Sequence, residues 1–150
     1  MPVVLVSACL LGARCRYAGD GKRIDGLDAL MRRAQLVPVC PEVYGGLPTP
    51  RAPAERRGTR VIARDGTDVT PEFERGAQEA LKLAELFGAR FALLKERSPS
   101  CGSGEIYDGS FAGVRVKGDG VAAALLKTHG VEVYGESRIE ELLARLEEME

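Results

Sequence analysis

The chain has 150 residues, enough for one domain that buries roughly two thirds of its unfolded surface in a single core. Its 21 basic and 22 acidic residues leave a net charge of -1, which excludes a global field favouring nucleic acid or acidic membranes. No apolar run approaches the roughly 20 residues that span a bilayer, and the four cysteines are expected as reduced thiols in a cytoplasmic protein.

Residues 2 to 8, "PVVLVSA", make an apolar run of strand length ended by small residues. No basic segment precedes it and no small-residue cleavage site follows, so it reads as a first buried strand and not as a signal peptide. "GLDALMRRA" follows as a helix and "AQLVPV" (34 to 39) as a second strand. "GGLPTPRAPAERRG" (45 to 58) is expected to be a long loop, of a length that inside a compact domain usually serves function. "TRVIARDGTDVT" (59 to 70) predicts a hairpin turning at Asp65-Gly66. A long helix should start with Thr70 as N-cap and Pro71 as its first residue, and stop at Gly88. Within it Phe73, Ala77, Ala80, Leu81 and Ala84 share the face that should meet a sheet. "RFALLK" (90 to 95) and "VEVYG" (131 to 135) supply two more strands, with "DGVAAALLKTHG" between them and "SRIEELLARLEEM" after them as helices.

Strands alternating with helices imply βαβ units. The expectation is an α/β fold, a Rossmann-like three-layer sandwich with a mostly parallel sheet and helices on both faces, formed by residues 1 to 150 as a single domain. In such sheets ligands bind beyond the carboxyl ends of the strands. Cys9, Cys40 and Cys101 each follow a predicted strand, in "SAC", "PVCPE" and "SPSCG". Parallel strands would carry all three to one sheet edge. Any one of them alone reads best as a packed small hydrophobe; three at one edge read better as metal ligands. Cys15, six residues beyond Cys9, is the least constrained.

Two metals fit. A closed zinc site would consume all four thiolates, and the chain lacks the close C-x2-C pairs such sites usually carry. Iron-sulfur clusters also use thiolates, and three of them would leave one iron of a cubane open. Spacing alone leaves both alternatives standing.

"LVSACLLGARCRY", "CPEVYGGLPTPRAPAE", "GTDVTPEFERGA", "LLKERSPSCGSGEIYDGSF" and "GDGVAAALL" together resemble the thiouracil desulfidase family, in order and from about Val3 to Glu136. That resemblance implies a 4Fe-4S cluster held by Cys9, Cys40 and Cys101, with Cys15 a neighbour outside the ligand set. It also implies a non-redox hydrolysis: the thiocarbonyl of a thiolated pyrimidine such as 4-thiouracil becomes a carbonyl and sulfide departs. A soft thiocarbonyl sulfur suits an open thiophilic iron, and water must then add to the ring carbon with the help of a base.

The only histidine, His129, lies at a predicted helix end and is expected to cap it. Glu42, two residues after Cys40, is the better base. Ser98 and Ser100, either side of Pro99, are candidates to hold the water or the pyrimidine. The resemblance favours Ser98 beside Glu42, and turn capping suits Ser100 at least as well as contact with substrate. Arg51 and Lys95 are candidates for a phosphate or pyrimidine oxygen, against the ordinary surface ion pair. Asp108 could meet a ring N-H, against a plain turn in "YDG", and Ser7 could back the first thiol. Ala18 stands where the family pattern leads one to expect an acid, with Asp20 two positions on, which leaves Tyr17 and Lys22 without assigned roles.

The expected partner is a small thiolated base or nucleoside; the near-neutral charge does not favour RNA. The rival from another class is a Rossmann-like module that binds zinc or phosphate without catalysis, although no strand leads into a G-x-G-x-x-G helix start. Nucleophilic catalysis by Cys101 is a third reading and lacks a histidine partner.

Overall fold

A computed structural model describes all residues from 1 to 150. Four parallel strands form the central sheet: β1 (Val3–Ser7), β2 (Gln35–Val39), β5 (Phe91–Leu94) and β8 (Glu132–Gly135), in the order β2-β1-β5-β8. All four match strands expected from their apolar runs. Two two-stranded ribbons accompany the sheet, β3 (Ala54–Arg57) with β4 (Arg60–Ala63) and β6 (Glu105–Tyr107) with β7 (Arg115–Lys117). The helices are α1 (Leu27–Arg33), α2 (Pro41–Tyr44), α3 (Thr70–Phe87), α4 (Val121–Thr128) and α5 (Ile139–Glu148). None is long and apolar enough to cross a membrane.

The period-two alternation of the strands divides the core into two apolar layers. Val4, Val6, Phe91 and Leu93 pack with Leu30 of α1 and Leu142 and Leu146 of α5. Leu5, Val39, Ala92 and Leu94 turn the other way, onto Leu81 and Ala84 of α3 and Ala123 and Leu126 of α4. Both faces of the sheet are therefore covered, which is the expected three-layer α/β sandwich and explains why its strands read as nearly continuous apolar runs.

Three local expectations are corrected. The Asp65-Gly66 turn forms, with Asp65 Oδ1 accepting from the Thr67 N-H at 3.0 Å, but its ladder is a single bridge, Ile62 to Asp68. The full antiparallel ladder lies on the other side, where β4 pairs with β3 through a turn at Gly58, and β3 comes from the stretch expected to be loop. A longer second ladder is cut off because the chain enters α3 at Thr70. Thr70 is also not the N-cap: it opens the helix, its hydroxyl bonds the Val61 N-H at 2.8 Å, and Asp68 Oδ1 takes the Thr70 N-H at 3.0 Å. The ribbon β6-β7 was not expected, because its strands are too short to show alternation.

Helix α2 is a single turn, so its position depends on what it leans against. Gly45, which ends it, and Gly76 of α3 let the two backbones touch: a Cβ on Gly76 would overlap the Pro41 carbonyl, and one on Gly45 the Glu72 carbonyl. Backbone cannot give way as a flexible side chain can. Gly76→Ala should therefore destabilise the protein by about 1–3 kcal/mol in urea denaturation, whereas Leu86→Ala, at a side chain 76% exposed on the same helix, should stay within about 0.5 kcal/mol. Equal effects would show that the α2-α3 contact is not a tight constraint.

Candidate active site

The chain leaves β1 for β2 on one side and later returns to place β5 on the other, so the order reverses at β1. At such a reversal the turns beyond the strand ends diverge and leave a crevice. Cys9 lies there on a turn of 3-10 helix, Ala8–Leu11, that directly follows β1. Cys40 is the N-cap residue of α2, directly after β2. Cys101 follows β5 in the turn "SPSC".

Each turn is held by backbone bonding. Lys22 N-H donates to the Cys9 carbonyl at 2.9 Å, and Tyr44 N-H to the Cys40 carbonyl at 2.9 Å. In the third turn Ser98 Oγ accepts the N-H groups of Ser100 at 3.1 Å and Cys101 at 3.0 Å. The start of α4 docks on the same turn: Val121 N-H donates to Pro99 O at 2.8 Å, and Ala122 and Ala123 donate to Ser100 O at 2.9 and 3.0 Å. Those are donors that a helix start otherwise leaves unpaired. Gly120 makes the approach feasible, since a Cβ there would crowd the Ser100 carbonyl.

All four thiols line one cavity of about 270 Å³, together with Glu42, Ser98 and Ser100. Ser7, Tyr17, Arg51 and Lys95 also line it; His129, Lys22 and Asp108 do not. His129 stays at the end of α4, with Nδ1 3.1 Å from the Leu125 carbonyl, as expected of a capping residue. Asp108 instead makes a local turn, accepting from Ser110 N-H at 2.9 Å and Ser110 Oγ at 2.6 Å. These bonds hold its carboxyl below the usual range.

A polar chain runs across the cavity wall. Ser100, only 2% exposed, donates from Oγ to Glu42 Oε2 at 2.9 Å. Ser98 Oγ lies 2.9 Å from Ser100 Oγ; since Ser100 spends its proton on Glu42, Ser98 is the donor of that pair. The serine roles are thus opposite to the capping expectation: Ser98 caps the turn and Ser100 meets the carboxylate. Arg51 Nε donates to Glu42 Oε1 at 3.0 Å. Its guanidinium is buried at 6% exposure, so it is no surface pair. Lys95 does make an ion pair, with Glu136 at 3.1 Å, while its backbone N-H donates to Ser7 Oγ at 2.9 Å.

The sequence reading missed Tyr107, Glu55, Arg16 and Arg97 on this wall. Tyr107 arrives on β6, which shows no strand periodicity. Arg97 has φ +65, a left-handed conformation uncommon outside glycine, with no marker in "KERSP". Arg16 pairs with Asp20 at 3.2 Å, which puts an acid near the loop tip even though Ala18 occupies the expected place.

Burial makes the thiols reluctant to ionise. Cys9 is pushed up to about 11 by burial and then by Cys40, and Cys15 up to about 12 by burial and by Cys40. Cys101 is pushed up to about 12 by burial, although hydrogen bonds from Ser7 and Ser100 oppose the shift. Thiolates gathered here need a positive centre among them. No three His, Cys, Asp or Glu side chains converge on a point suited to one metal ion. Thiols spread around a cavity wall suit a polynuclear centre better than one zinc, which needs every sulfur about 2.3 Å away.

Residues 4–138 match the family model described as 2-thiouracil desulfurase. The chain belongs to the 2-thiouracil desulfurase family. The uncharacterized protein YbbK of Bacillus subtilis (strain 168) is 40% identical over 151 residues, covering 94% of this chain and 100% of YbbK. Among solved structures, the 4Fe-4S-dependent thiouracil desulfidase TudS is 52% identical, with a TM-score of 0.93 over 98% of this chain and 99% of its own. For a desulfurase-family fold of this kind, the crevice at the strand ends is where the family's chemistry is expected.

Unfolded thiols titrate near 9.0, below the values of about 11 and 12 in the fold. Between these limits the metal-free folded protein keeps protons that the unfolded chain has lost, so its stability is full below about pH 9 and falls as pH rises through 11 and 12. The urea midpoint of the reduced, metal-free protein should fall across that window, and more gently in Cys101→Ala. An unchanged midpoint over the window would show that the thiols are not desolvated.

Proposed function

We propose that residues 1 to 150 form one iron-sulfur-dependent desulfidase domain that hydrolyses the thiocarbonyl of a thiolated pyrimidine, such as 4-thiouracil, to a carbonyl and sulfide. The observation that carries the reading is the meeting of Cys9, Cys40 and Cys101, from three separate strand ends, beside the Ser98-Ser100-Glu42 chain. Membership of the 2-thiouracil desulfurase family and the 52% identity to TudS support it.

Cys9, Cys40 and Cys101 would hold a 4Fe-4S cluster, and Cys15 would stand beside it. When bound, a cluster with one iron free of protein thiolate supplies a soft Lewis acid for the thiocarbonyl sulfur and draws electron density from the ring carbon. The remaining work falls to the protein. Glu42 takes a proton from water as the oxygen adds to the ring carbon. Ser100, bonded to Glu42, and Ser98, bonded to Ser100, hold the water and pass the proton on to the departing sulfide. One C-S bond is exchanged for a C-O bond, and no electron is gained or lost. The reaction is a hydrolysis.

A cavity of about 270 Å³ lies at the small end of ligand pockets and supports a free base or nucleoside over RNA as substrate. Reduced thiols and the absence of a helix long enough to cross a membrane are compatible with a cytoplasmic enzyme.

Protein prepared and reconstituted without oxygen should be brown, carry iron and sulfide in equal amounts, and release sulfide from 4-thiouracil. Replacing Cys9, Cys40 or Cys101 by serine should remove the iron, while Cys15→Ser should retain it. Glu42→Gln and Ser98→Ala should keep the cluster absorption but lower kcat by about 10²–10⁴-fold. A colourless anaerobic preparation with stoichiometric zinc, or iron-loaded protein that releases no sulfide, would sink the reading.

A further inference from the structure

We propose that Arg51 is a positioning residue that aims the Glu42 carboxylate at Ser100, through a buried guanidinium that ties Glu42 to the Cys15 loop and to its own proline-rich loop. The inference rests on the reaction assigned above for its consequence and on geometry for its substance. Four hydrogen bonds leave this one side chain: Nε to Glu42 Oε1 at 3.0 Å, Nη1 to Pro48 O at 3.2 Å and Thr49 Oγ1 at 3.1 Å, and Nη2 to Cys15 O at 2.9 Å. The backbone joins in, with Arg51 N-H donating to Tyr17 O at 2.8 Å. Three stretches that are far apart in sequence therefore meet on one planar fork, whose shape a lysine cannot reproduce.

The consequence for Glu42 is directional. Its Oε1 is committed to Arg51 and its Oε2 to Ser100, so the carboxylate plane is set from both ends. Beyond the pair lies a second cavity of about 210 Å³, lined by Leu47, Ala63, Val69 and Phe73 and by Glu42 and Arg51 themselves. The ion pair is thus the partition between the reaction cavity and an empty space. Without the guanidinium, the carboxylate loses its paired charge in a half-buried setting and gains room to turn away from Ser100. Arg51 need not touch the substrate for this, and three of its four side-chain bonds point to groups other than Glu42.

The test uses Arg51→Gln and the milder Arg51→Lys in the iron-loaded protein, each alone and combined with Glu42→Gln. The expected result is a fall in kcat of about 10–100-fold for Arg51→Gln and a smaller fall for Arg51→Lys. KM and iron content should be unchanged, with almost no further loss when Arg51→Gln is added to Glu42→Gln. A crystal structure of Arg51→Gln should show the Glu42 to Ser100 bond broken, with the carboxylate turned towards the second cavity. Retention of that bond overturns the proposal, as does a loss of equal size with and without Glu42, or a loss of iron in step with activity. Should Arg51→Gln fail to fold, a wild-type kcat in Arg51→Lys overturns it alone. If the bond breaks yet the wild-type protein releases no sulfide, the positioning role stands and the desulfidase reading fails.

Discussion

Parallel pairing of β2, β1 and β5 is the constraint on which the rest of the site depends. Parallel ladders align strand ends, so the three turns that follow these strands must share one edge of the sheet. Residues 9, 40 and 101 belong to those turns, and no local interaction among them is needed to bring them together. The pairing is itself secured by two apolar layers, because a one-residue slip of any strand would exchange its α1-α5 face for its α3-α4 face.

Three thiols gathered by topology carry an electrostatic penalty. Their burial opposes ionisation, and the nearest opposing influences are the hydroxyls of Ser7 and Ser100 around Cys101 and the cations Lys95 and Arg16 near Cys9. In the metal-free chain the site is therefore most comfortable protonated, and binding of a positive centre must expel those protons. The same low-dielectric setting strengthens the Ser98-Ser100-Glu42-Arg51 chain, whose members lie on four different turns or loops and are each satisfied by the next. A metal-binding edge and a proton-handling edge thus share one wall. Its packing depends on glycines: Gly45 and Gly76 admit α2, and Gly120 admits the start of α4.

Much of the site was legible because each cysteine sits directly after an apolar run whose strand character is unmistakable. Glu42 was legible by its closeness to Cys40. The parts that were not legible have physical causes. Arg51 looks like any arginine in a proline-rich loop, and its burial follows only from the loop folding back across Cys15 and Glu42. Ser98 and Ser100 are interchangeable as letters on either side of Pro99, and only the direction of the turn sends one to the backbone and the other to the carboxylate. Tyr107 and Glu55 come from ribbons whose strands of three or four residues are too short for periodicity to register.

By itself, then, the order of residues determined the secondary elements, the three-layer sandwich and the set of thiols, since apolar period and turn chemistry are local properties that survive without neighbours. Only the tertiary structure decided which hydroxyl faces Glu42, that Arg51 is buried, that Asp108 stays in its own turn and that β3 pairs with β4. Each of those depends on the approach of segments distant along the chain, and the energies that select among such approaches belong to pairs of surfaces rather than to any one stretch.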